Sequence, residues 1–103
     1  MIRVSVLYPN TDGNTFDHEY FLATHMPLVA DRCGDPLRKW EVDRGIAGGE
    51  AGAPAPYMAI AHLTFDSVDE FNGSFGPHAD EILGDIPNYT NATPVIQISE
   101  VAR

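Results

Sequence analysis

Ile2, Val4, Val6 and Tyr8 alternate with Arg3, Ser5 and Leu7, the period of a strand, and Pro9-Asn10 with Asp12-Gly13 end it. From about Phe16 the period lengthens. Phe16, Tyr20 and Ala23 share one face of a helix, with Thr15 as its N-cap and Asp17 and Glu19 in the positive first turn. Pro27 interrupts this helix, which predicts a kink just after His25 and a freed carbonyl at Ala23 to orient the His25 ring. The helical pattern resumes at Leu28 and Val29 and stops at Gly34-Asp35-Pro36.

Leu37 to Ile46 reads as a second strand, with Trp40, Val42 and Arg44 on one face. The Gly- and Ala-rich run from Gly45 to Pro54 lacks the Lys-Ser/Thr ending of a phosphate loop and reads as a flexible hairpin connection. Tyr57 to Phe65 is a third strand. Ser67-Val68-Asp69-Glu70 is a capping box opening a second helix, whose Phe71, Phe75, Ala79 and Ile82 recur at helical spacing. Gly76-Pro77 breaks that helix in the middle, and Val95 to Val101 supplies a last strand. The order β-α-β-β-α-β predicts one α+β domain over residues 1–103, a ferredoxin-like sandwich with a four-stranded antiparallel sheet. Two helices cover one face of such a sheet. Tyr57 to Phe65 is apolar on both faces apart from His62 and Thr64, so a second copy is expected to close the other face as a sheet-to-sheet homodimer.

Composition narrows the partners. Of 103 residues, 44% are hydrophobic and 20% charged, an ordinary globular balance. Six Lys and Arg stand against fifteen Asp and Glu, a net charge of -9, and Asp66 to Asp85 holds six acids and no Lys or Arg. Such a surface repels nucleic acid and anionic membranes. No apolar run is long enough to span a bilayer, and no charged and apolar leader precedes the first strand. Cys33 is the only cysteine, which fits a reducing cytoplasm.

Three histidines carry the candidate chemistry. His25 precedes the Pro27 interruption, His62 sits in the most apolar strand, and His78 begins a helical turn, where the helix dipole favours neutral imidazole. In a ferredoxin-like fold the two helices pack on one sheet face. A pocket beneath them is expected to receive His25 and His78 as catalytic groups, with Tyr20 and Asp85, and Phe65, Phe71, Phe75, Trp40, Tyr89 and His62 binding the substrate. A neutral His removes a proton or polarises a carbonyl, a Tyr or second His returns the proton, and Asp85 fixes a tautomer. This predicts cyclisation, dehydration or isomerisation of a small, mostly apolar molecule, aromatic ones included, without a cofactor.

Plainer roles compete with each assignment. His18 lies among acids at a helix start and reads as solvated; His62 also reads as a core or interface residue, and Asp85 as a turn cap. A metal site from His25, His62, His78 and Asp85 would need four scattered positions to converge. A non-catalytic carrier of an apolar intermediate is the alternative function.

Phe16-Asp17-x-x-Tyr20-Phe21-x-x-x-His25-Met26-Pro27-Leu28 resembles the N-terminal motif of the EthD family. The block from Phe75-Gly76-Pro77-His78 through Gly84-Asp85-Ile86-Pro87-Asn88-Tyr89-Thr90-Asn91 resembles its C-terminal motif, closest to the RedY-like branch that accompanies prodigiosin-type pathways. The resemblance implies a dimeric α+β barrel, whose relatives include polyketide cyclases, muconolactone isomerases, monooxygenases and heme proteins, so that a heme-binding barrel with a His ligand is a third alternative; fold alone selects no chemistry among them. This chain departs from the family pattern at Phe21, where a second Tyr is common, and at Cys33, where Trp is common.

Overall fold

The computed structural model describes residues 1–103. Strands β1 (Ile2–Pro9), β2 (Lys39–Arg44), β3 (Tyr57–Phe65) and β4 (Val95–Glu100) form one antiparallel sheet in the order β2-β3-β1-β4. Helix α1 covers residues 18–33 and helix α2 residues 68–84. The β-α-β-β-α-β order and the ferredoxin-like sandwich are as the hydrophobic pattern predicts.

The inward side chains follow the strand period. Val4 pairs with Leu63 and Tyr8 with Ala59, so the even positions of β1 and the odd positions of β3 face the helices, with Val4, Tyr8, Ala59, Ala61, Leu63 and Phe65 buried. From α1, Phe21, Met26, Val29 and Cys33 pack onto them, joined by Ile82 of α2. The second sheet face is less apolar than β3 alone suggests. Ile60 lies opposite Leu7 and Asp43, but His62 lies between Ser5 and Glu41.

Both helices are irregular where proline falls. The N-cap of α1 is Asp17 and not Thr15: its carboxylate accepts the Tyr20 N–H at 3.0 Å, and helix begins at His18. Phe16, expected inside the helix, instead makes a lone β-bridge with Thr90. The predicted kink is a π-helical turn over Phe21–His25, closed by the Met26 N–H bonding the Phe21 carbonyl. Such a turn fits one extra residue into the helix before Pro27, which lacks an N–H to donate. In α2, Ser67 Oγ accepts the Glu70 N–H at 3.1 Å, as the capping box requires, and Gly76–His78 narrows to a 3-10 turn.

The strand bounds differ little from the pattern; β2 is shorter than Leu37 to Ile46 because only 39–44 pair with β3. The Gly-rich segment does connect β2 to β3. Gly45 is required there, since a Cβ would sit 2.2 Å from the Tyr57 carbonyl oxygen.

Candidate functional site

A cavity lies between the sheet and the two helices. It holds about 550 Å³ of empty space, part of it open to solvent. Of its fifteen lining residues thirteen are hydrophobic, with Val4, Val29, Leu63, Phe71, Phe75 and Ile82 from four different elements. Tyr8 and His25 are the lining residues whose side chains bear oxygen or nitrogen.

Those two open a hydrogen-bonded relay. Tyr8 and Tyr89 hydroxyls are 2.7 Å apart, the Tyr89 hydroxyl is 3.3 Å from His25 Nε2, and His25 Nδ1 is 2.9 Å from Asp85 Oδ2. Asp85 Oδ1 also accepts from the Tyr20 hydroxyl at 2.7 Å and from Asn88 Nδ2 at 2.9 Å. The π turn brings His25 inward, where its ring stacks on Phe21 and is 4% exposed. Its orientation comes from the Asp85 carboxylate, not from the Ala23 carbonyl that the sequence suggests.

The electrostatics follow from burial and partners. Burial pushes His25 below its ordinary value, against the pull of Asp85, so the imidazole is neutral at pH 7. Burial alone would raise Asp85, but hydrogen bonds from Tyr20, Asn88 and His25 outweigh it and hold the carboxyl below its usual range. Tyr8 is pushed up to about 12, and burial drives Tyr89 upward as well. An ionised Asp85 only accepts, so His25 Nδ1 carries the imidazole proton and Nε2 accepts from Tyr89. Tyr89 having spent its proton, Tyr8 donates to it.

The loop after α2 holds this arrangement from outside. Thr90 Oγ1 donates to the Thr15 carbonyl at 2.6 Å, and Asn91 both accepts the Thr15 N–H and donates to the Gly13 carbonyl. Each residue of Asn88-Tyr89-Thr90-Asn91 therefore has a bonded partner, which gives the C-terminal motif a physical content.

The other expected site residues fall elsewhere. Phe71 and Phe75 line the cavity as expected. Phe65 lies beneath them, fully buried and edge-on to Phe71 at 5.2 Å, and Trp40 packs at the core margin; neither lines the cavity. Tyr20 and Tyr89 act on Asp85 and His25 and do not line the cavity either.

His78 does not join His25. It borders a shallow surface depression with Arg32, Cys33 and Glu70. The helices run antiparallel, with Asp85 beside His25 and Glu81 bonded to Arg32 at 2.7 Å. Seven residues of helix separate His78 from Asp85, about 10 Å at ~1.5 Å per residue. His62 lies on the opposite sheet face, with Nε2 2.9 Å from Asp43 Oδ2 and Nδ1 3.4 Å from Ser5 Oγ.

These separations bear on bound groups. His25, His62, His78 and Asp85 do not converge, and no cluster of three or more His, Cys, Asp or Glu is placed to hold a metal ion. Both His25 nitrogens are engaged in the relay, so an iron ligand at His25 would break one of its bonds. Tyr8 is the member of the relay that sequence reasoning missed. A tyrosine at an inward strand position among aliphatic residues was the available signal.

No protein-family model matches the chain, and no curated protein matches it in sequence. Solved structures do. An EthD-like protein from Ralstonia eutropha JMP134 is 44% identical over 99% of this chain and 92% of its own, with a TM-score of 0.94. An ethyl tert-butyl ether (EthD) family protein from Bacillus halodurans C-125 is 16% identical over 97% of both chains, with a TM-score of 0.67. A dimeric protein of unknown function with a ferredoxin-like fold, from Bacteroides fragilis, is 15% identical over 96% of this chain and 94% of its own, with a TM-score of 0.59. The last two similarities concern the fold alone.

Proposed function

The chain belongs to the EthD-like proteins, and from that premise we propose that it is a cofactor-independent enzyme moving protons on an apolar ring compound. The relay from Tyr8 to Asp85, opening on an apolar cavity, is the observation that carries this reading. A bound molecule gives a proton to the Tyr8 oxygen as the Tyr8 proton passes to Tyr89 and the Tyr89 proton to His25 Nε2. His25 is then imidazolium, paired with the Asp85 carboxylate. The reverse motion returns a proton to a different atom, which isomerises the molecule, closes a ring or releases a hydroxyl as water. His25 is the base, Tyr8 the group at the substrate, and Tyr20 and Asn88 position Asp85.

The setting follows from the same reading. The motif at 75–91 supports the RedY-like branch, and with it a place in secondary metabolism or in degradation. Two copies are proposed to pair sheet to sheet; Ile60 and Leu7 on the uncovered face give that pairing an apolar centre. Net charge -9 argues against nucleic acid and anionic membranes as partners. No helix is long and apolar enough to cross a membrane.

Exchange in deuterium oxide tests the chemistry directly. The protein is expected to speed deuterium incorporation at the ring carbon beside the hydroxyl of 2-naphthol, followed by NMR. His25→Ala should lose at least ~100-fold of that acceleration. Binding of the naphthol with no acceleration by the unaltered protein would overturn the enzyme reading and leave a carrier.

A further inference from the structure

We propose that the cavity selects neutral ring compounds bearing an O–H or N–H donor, such as phenols, enols and pyrroles, over carbonyl and carboxylate analogues of the same size. The inference deepens the proton-transfer reading and rests on the same relay. It comes from the direction in which every hydrogen bond of that relay must point.

Asp85 is surrounded by three donors, the Tyr20 hydroxyl, the Asn88 amide and His25 Nδ1, and leaves no proton to give. The direction set at Asp85 passes through Nε2 and Tyr89 to Tyr8. Tyr8 thus spends its proton on Tyr89 and has lone pairs left for a bound molecule. Turning the chain round would make Tyr8 a donor to the ligand. It would also place the proton on Nε2 and leave a bare Nδ1 against the Asp85 carboxylate at 2.9 Å, two acceptors facing each other with no proton between them. The chain is therefore held in one direction while His25 is neutral.

A ligand with a hydroxyl or ring N–H completes the chain by donating to Tyr8. A ketone places an oxygen lone pair against the Tyr8 lone pair, in surroundings with no other donor side chain than His25, whose N–H is already committed. A carboxylate fares worse. No Lys or Arg lines the cavity, the nearest charge in the relay is the Asp85 carboxylate, and Arg32 and Arg38 are held by Glu81 and Asp66 outside it.

Calorimetric titration with four probes of one shape tests this at neutral pH: 2-naphthol, 2-methoxynaphthalene, 2-acetylnaphthalene and 2-naphthoate. The naphthol should bind about tenfold more tightly than the ether or the ketone, the scale of one hydrogen bond in a dry site, and the naphthoate more weakly than all three. Tyr8→Phe should erase the advantage of the naphthol and keep binding of the ether. Equal or tighter binding of the ketone or the naphthoate would overturn the selectivity while leaving an apolar ligand cavity. A naphthol preference that survives in Tyr8→Phe would also overturn it. Failure of all four to bind would overturn the cavity as a ligand site, and the proton-transfer reading with it.

Discussion

Asp85, His25, Tyr89 and Tyr8 share their protons in one order, and that order has consequences for pH. His25 is held below its ordinary value of 6.5, chiefly by burial, so the unfolded chain binds the extra proton first. The stability it contributes is present above pH 6.5 and is lost as pH falls through the lower folded value. Asp85, also depressed, adds a loss in the same direction below its ordinary 3.8. Tyr8 works at the other end. Its folded value of about 12 lies above the ordinary 10.0, so its contribution is complete below pH 10 and lost between 10 and 12. Urea unfolding across pH should show both flanks. Tyr8→Phe should make the alkaline flank shallower, with the part due to Tyr89 remaining, and leave the acid one.

At the scale of elements, the two proline interruptions differ in outcome. Pro27 follows a π turn that brings His25 against Phe21 and Asp85, whereas Pro77 lies in a 3-10 turn whose His78 meets the far end of α1. The start of α1 is fixed by the Asp17 carboxylate, so Asp17→Ala should cost about 1 kcal/mol in chemical denaturation and leave the cavity unchanged. Strand and helix order was legible because periods of two and of three to four dominate the pattern. His25, Asp85, Tyr20 and Tyr89 were legible as a group because polar residues recur beside proline and glycine there. His78 was misplaced because the pattern gives a face and not a position along the axis. Tyr8 escaped notice because a buried strand tyrosine looks like any other core residue until its hydroxyl finds a partner.

For the whole molecule, the proposed pairing places apolar side chains of two copies together. Val95 on the edge strand β4 is 52% exposed and lies opposite Leu7, and Ile60 and Leu7 are half-buried without a helix above them. An apolar edge of this kind invites association. Sedimentation equilibrium should find a dimer, and Ile60→Asp should shift it to monomer with its circular dichroism retained. The exposed ion pairs of Arg32, Arg38 and Lys39 contribute little to this balance, being screened by water and salt.

Tyr8 and Tyr89 are 81 residues apart in the chain, and the bond between them spans most of its length. Strand β1 is also central, flanked by β3 and by β4, which arrives last. The relay therefore exists only once a loop spanning 81 residues has been closed, against the entropy that such closure costs. A chain in which that loop is open has no relay. Under the proposed chemistry, unfinished copies are thereby kept silent, and reactivity waits on the long-range closure of the chain.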